Sequence, residues 1–160
     1  MIKKIIKIVA IVIVVGLVII QFFQIDKSNP PVVPDQTLDA TTQVPPDISE
    51  ILGRSCKDCH TNQTIYPWYT NVQPVGWFVK DDIDQGRGKV NFSVWNTYTP
   101  KQKSKRLDDI CEQLNLKAMP LPQYLWIHRN AVLSQNERDS LCSWATQEKA
   151  KIDATLDNAN

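Results

Sequence analysis

The chain has 160 residues, with 18 Lys and Arg against 17 Asp and Glu and a net charge of +1. Setting aside Lys3, Lys4 and Lys7 leaves 15 basic residues against 17 acidic, about -2 for the remainder. That balance offers no basic face and excludes nucleic acid as a partner.

The first element is apolar. Ile8 to Ile20 are uninterrupted apolar positions, and the run extends from Ile5 to Ile25 with only Lys7, Gln21 and Gln24 as polar intrusions. A helix of about 20 residues spans the roughly 30 Å hydrocarbon core, and Lys7 can snorkel to the interface. Residues 1–25 are therefore expected to be a membrane anchor. Lys3, Lys4 and Lys7 precede the run, so the positive-inside rule places the amino terminus in the cytoplasm and the rest on the periplasmic, extracytoplasmic side. A cleaved signal peptide is the rival, but Gln21-Phe22-Phe23-Gln24 offers no small-residue cleavage site.

Residues 26–46 hold five of the ten prolines among Ser, Thr, Asp and Gln. They read as a linker without strand or helix, reaching about 70 Å if polyproline-like and roughly 27 Å as a coil. The remainder, 47–155 with a tail over 156–160, is the size of one domain. All five tryptophans fall in it, and so small a core gains from packing on a large apolar cofactor.

A helix is expected to start near Asp47, after Pro45-Pro46, with Ile48, Ile51 and Leu52 on one face, and to deliver Cys56-Lys57-Asp58-Cys59-His60. C-x-x-C-H supplies two thiols for covalent haem attachment and an imidazole for the iron. Two cysteines three apart on a helical turn project the same way, so both sulfurs reach one porphyrin edge. Redox enzymes and zinc sites also use such pairs. A thioredoxin-like motif, however, follows a β-strand, and here the upstream residues read as helix. Zinc needs a fourth ligand, and Cys111, Cys142 and His128 form no further paired motif.

Tyr66-Pro67-Trp68-Tyr69 reads as an aromatic loop. Pro74 to Gln85 reads as a short helix with Val75, Phe78, Val79 and Ile83 on one face, ended by Gly86 and Gly88. Thr99-Pro100 opens a helix with Leu107, Ile110, Cys111 and Leu114 inward. Ser134 to Glu137 fits a capping box before a last helix burying Leu141, Trp144, Ala145 and Ile152. The fold class is all-α.

Met119 is the only methionine besides Met1, and it lies in Ala118-Met119-Pro120. It is the candidate sixth ligand, a soft thioether that favours ferrous iron. His128 is the alternative. The other ring nitrogen of His60 needs an acceptor, for which the carbonyl of Pro67 is the candidate. Cys111 and Cys142 are either a disulfide or two buried thiols.

The C-x-x-C-H motif, Tyr66-Pro67-Trp68-Tyr69, Asn91-Phe92-Ser93-x-Trp95, Met119-Pro120-Leu121 with Tyr124, and the helix from Leu133-Ser134 to Trp144 occur in order. In this the exported part resembles the bacterial haem-binding domain family. The resemblance implies a small mono-haem c-type cytochrome with terminal helices packed across each other and a haem in the cleft. Pro67, Trp68, Tyr69, Trp77, Trp95, Pro120 and Tyr124 are the expected cofactor contacts. One covalently attached haem c is expected. The expected role is electron transfer with redox partner proteins rather than enzymatic turnover. The alternative is a peroxidase-like or gas- or redox-sensing module with a displaceable sixth ligand, where His128 and Arg129 are the available distal pair.

Overall fold

The computed structural model describes residues 1–157, and every regular element in them is helical. Residues 158–160, part of the expected tail, lie outside the described residues. The chain forms two compact units, Met1–Ser28 with Ile65–Gln85, and Asn29–Thr64 with the chain from Gly86 onward.

The first unit contains α1 (Ile2–Ile20), a 3-10 turn over Trp68–Asn71, and most of the helix that follows it. Among the described residues no helix is long and apolar enough to cross a membrane. Helix α1 stops at Ile20, short of the expected Ile25, and Lys3, Lys4 and Lys7 lie inside it. That leaves the thirteen uncharged residues Ile8 to Ile20, about 20 Å at 1.5 Å per residue against a core of about 30 Å. Just past that end Gln21 and Gln24 bond to the backbone of residues 73 and 71.

The second unit starts with α2 (Leu38–Thr41) and α3 (Pro46–Ser55). The expectation of a structureless linker is overturned here. Leu38 is 1% exposed in the core, Asn62 Nδ2 donates to the Pro31 carbonyl at 3.1 Å and Asn29 Nδ2 to that of Thr64 at 2.9 Å. A single leucine and side-chain amides that satisfy an otherwise unpaired backbone order this segment, and composition carries no trace of that. In α3, Pro46 presets the first turn, and Ile48, Ile51 and Leu52 are buried at helical spacing.

After α4 (Lys57–His60), α5 (Val75–Lys89) runs through Gly86 and Gly88 rather than ending at them. Its expected inward stripe is also corrected: Ile83 is buried, but Val75 and Phe78 are exposed. Helix α6 (Pro100–Asn115) starts with the Thr99–Gln102 capping box. Past the single turn α7 (Pro122–Leu125), α8 (Gln135–Asp157) starts where Glu137 N donates to Ser134 Oγ at 3.2 Å and Ser134 N to Glu137 Oε2 at 2.7 Å. Leu107 and Leu114 of α6 and Leu141, Trp144 and Ala145 of α8 are buried. A Cys111–Cys142 disulfide joins the two helices, with Cα atoms 4.7 Å apart.

Candidate haem site

The site grows from the turn between α3 and α4. Cys56 leaves helical geometry and its carbonyl accepts from Cys59 N at 3.2 Å and His60 N at 3.0 Å, so Cys56 and Cys59 share one face of a single turn. Neither cysteine is in a disulfide. Cys56 packs against the core. Desolvation, with Cys59 adding, pushes its thiol up to about 12. Dithiol oxidoreductases lower that value to make a thiolate, and Cys56 is shifted the other way.

His60 is prepared on one side only. Its Nδ1 lies 3.0 Å from the carbonyls of both Gly86 and Val90. Both groups accept only, so Nδ1 carries the proton and the lone pair is on Nε2. Burial pushes the imidazole below its usual range, with the two carbonyls opposing, which favours the neutral ring a metal needs. The Pro67 carbonyl is not that acceptor; it takes the Thr70 amide at 3.1 Å and hydroxyl at 2.7 Å.

Two supports fix the motif. Gly86 lets α5 approach: a Cβ there would stand 3.0 Å from the Cys59 carbonyl oxygen and 3.4 Å from His60 Cε1. Arg87, one residue on, donates to the Thr61 carbonyl at 2.8 Å and to Thr64 Oγ1 at 2.9 Å. The second support is Asn91-Phe92-Ser93. Asn62 N donates to Ser93 Oγ at 2.9 Å, Asn91 Nδ2 donates to Asn62 Oδ1 at 2.7 Å, and all three residues are buried. Phe92 sets its ring 6.2 Å from that of His60, and Trp95 continues the row 6.4 Å beyond. Trp95 thus belongs to the core, where it also borders a cavity of about 140 Å³ against Leu38, Leu107 and Trp144.

Met119 follows α6 through Lys117, whose positive φ of 53° turns the chain out of the helix. Buried Arg138 donates from Nη1 to the Met119 carbonyl at 2.8 Å, and Pro120 is buried beside it. Tyr124 Oη donates to Asp58 Oδ2 at 3.0 Å, tying α7 to the motif itself. His128 stacks on Tyr124, rings 4.1 Å apart and 5° from parallel. In the first unit Trp68 and Tyr69 meet edge to face at 6.0 Å, and Trp77 Nε1 donates to the Phe23 carbonyl at 2.9 Å.

Val90 and Arg138 are absent from the sequence reading, where Gly86 enters only as a helix stop and Phe92 only as part of a motif. A glycine within a helical pattern marks a packing demand as readily as a stop, but Gly86 shares that signal with Gly88. The carbonyls had none.

Two thiols on one turn and an imidazole locked with Nε2 as donor fit a haem. Among the described residues no group of three or more His, Cys, Asp or Glu is placed to hold a metal ion by itself. With Cys111 and Cys142 consumed in their bridge, a four-ligand zinc site has no set to draw on. The fold and site define an all-helical haem-binding protein. Residues 15–147 match the haem-binding domain family, and the chain belongs to it. No curated protein and no solved structure matches the chain.

Proposed function

We propose that the chain is a membrane-anchored, mono-haem c-type cytochrome on the extracytoplasmic face, passing single electrons rather than converting a substrate. The observation that carries this is the pair of carbonyls on His60 Nδ1. They fix the tautomer and orientation expected of an axial histidine. Cys56 and Cys59 would bond the porphyrin covalently, and His60 through Nε2 and Met119 through its sulfur would hold the iron. When bound, the haem supplies an iron that changes oxidation state by one electron.

The chain's own residues do the rest. Gly86 and Val90 hold the proton on Nδ1, Arg138 steadies the backbone that presents Met119, and Phe92 covers the His60 ring. With both His60 and Met119 on the iron, no position would remain for peroxide or a gas. The membrane part rests on α1, whose uncharged residues are almost all exposed, with three lysines at the cytoplasmic end able to snorkel.

Protein made alongside a c-type haem assembly system tests the reading. We expect a covalent haem that survives acid-acetone extraction, a low-spin spectrum, a methionine-to-iron charge-transfer band lost in Met119→Ala, and slow or absent carbon monoxide binding to the reduced form. Complete release of pigment overturns c-type attachment. Steady peroxide turnover or fast carbon monoxide binding overturns the electron-carrier role.

A further inference from the structure

Within the first unit, large apolar side chains stand in solvent around the carboxyl end of α1: Phe22 at 82% exposure, Phe23 at 62%, Trp68 at 76% and Phe78 at 68%, with Val72 and Val75 also exposed. Singly exposed apolar residues are ordinary. These are held out by a built polar clamp. Gln73, 2% exposed, is its node. Its backbone N–H donates to Gln21 Oε1 and its carbonyl accepts from Gln21 Nε2, both at 2.9 Å. Its side chain accepts from Trp77 N at 3.1 Å, and Trp77 Nε1 reaches the Phe23 carbonyl at 2.9 Å. Gln24 Nε2 donates to the Asn71 carbonyl at 3.2 Å, and Lys27 bonds the Asn71 side chain. Gly76 closes the clamp, since a Cβ there would collide with the Thr70 carbonyl oxygen. Residues 68–78 are therefore fixed in height against the point where α1 ends.

We infer that Phe22, Phe23, Trp68, Val72, Val75 and Phe78 form a collar that seats in the interfacial layer of a lipid bilayer, on the leaflet from which α1 emerges. The inference rests on the proposal that α1 is a membrane anchor. Three observations select lipid as the occupant. The collar is continuous with α1, whose apolar residues are exposed in the same way. The thirteen uncharged residues of α1 fall about 10 Å short of a hydrocarbon core, and a short span draws the interface onto its flanking residues. Aromatic side chains favour that layer. The collar also has an upper edge: α5 passes from Val75 and Phe78 to Lys80, Asp81, Asp82 and Asp84 within two turns. That change of character marks where headgroups give way to water.

The full-length protein in phosphatidylcholine vesicles carrying a lipid with a diazirine at the shallow end of its acyl chain tests the collar. After irradiation, peptides are mapped for lipid adducts. We expect adducts on residues 8–20 and on 68–78, with W68S/F78S losing the second group severalfold while the first is unchanged. Adducts on 8–20 with none on 68–78 overturn the collar and leave the anchor standing. Adducts on neither, with the protein stripped by alkaline carbonate, overturn the anchor and the collar together. Absent adducts on 68–78 with a dimer that W68S/F78S dissolves assign the face to a second copy of the chain and overturn the lipid reading.

Discussion

Gly86 and Gly88 sit two residues apart inside α5 and have opposite jobs. Neither has a positive φ, so neither is there for its backbone freedom. A Cβ at Gly88 meets nothing within 4 Å, whereas one at Gly86 meets Cys59 and His60. Replacing a helical glycine with alanine gains about 1 kcal/mol of propensity, and overpacking costs about 1–3 kcal/mol. Gly88→Ala is therefore expected to stabilise by about 0.5–1 kcal/mol in urea unfolding. Gly86→Ala is expected to lose up to about 2 kcal/mol net and to disturb the haem spectrum. Equal gains from both would mean that α5 does not press on the motif. In the sequence the two glycines are indistinguishable, because what separates them is Cys59 and His60, some 26 residues away in the chain (86 - 60). The thiols and the imidazole were legible because their chemistry is written in side-chain type and spacing. The acceptors on Nδ1 are backbone carbonyls, which every residue carries.

At the scale of elements, local signals read well wherever a side chain closes on its own helix. Thr99 with Gln102 and Ser134 with Glu137 cap α6 and α8 as their spacing requires. Val75 and Phe78 had the right period and the wrong environment, since periodicity shows that a helix has an apolar face and not what covers it. The two spare cysteines lay on inward stripes, but their pairing depended on the register of α6 against α8, which local pattern does not encode. Their bridge closes a 31-residue separation. The double substitution Cys111→Ser with Cys142→Ser is expected to lower stability by about 2–4 kcal/mol. Covalent haem attachment should be unaffected, because neither cysteine belongs to the C-x-x-C-H motif. Alkylation of the unreduced holoprotein should label no cysteine, and two labelled thiols would disprove the bridge.

For the whole molecule, the segment from 29 to 44 decides whether the chain is a domain on a flexible leash or a domain with a belt laid across it. Its prolines and polar residues are those of a linker, and sequence logic counts too little apolar area to order it. Leu38 reverses that outcome from a single position, because it is inserted among residues of α3, α6 and α8 that already form a core. The partners that hold the rest, Asn29, Asn62 and the Lys57–Asp39 ion pair, are polar and lie on both sides of the contact. Limited proteolysis with thermolysin, which cuts before Leu38 and the neighbouring valines, separates the two pictures. A leash is the first place cut; the belt is cut only when it opens, at a rate set by the free energy of that opening. Leu38→Ala removes a fully buried side chain at a cost of about 2–5 kcal/mol, of which even 2 kcal/mol at the belt corresponds to roughly thirtyfold faster cleavage between residues 29 and 44. Wild-type protein should be resistant there and the variant cut early, with the remainder of the second unit surviving in both. Rapid wild-type cleavage at 29–44 that Leu38→Ala does not accelerate would return the segment to a free leash.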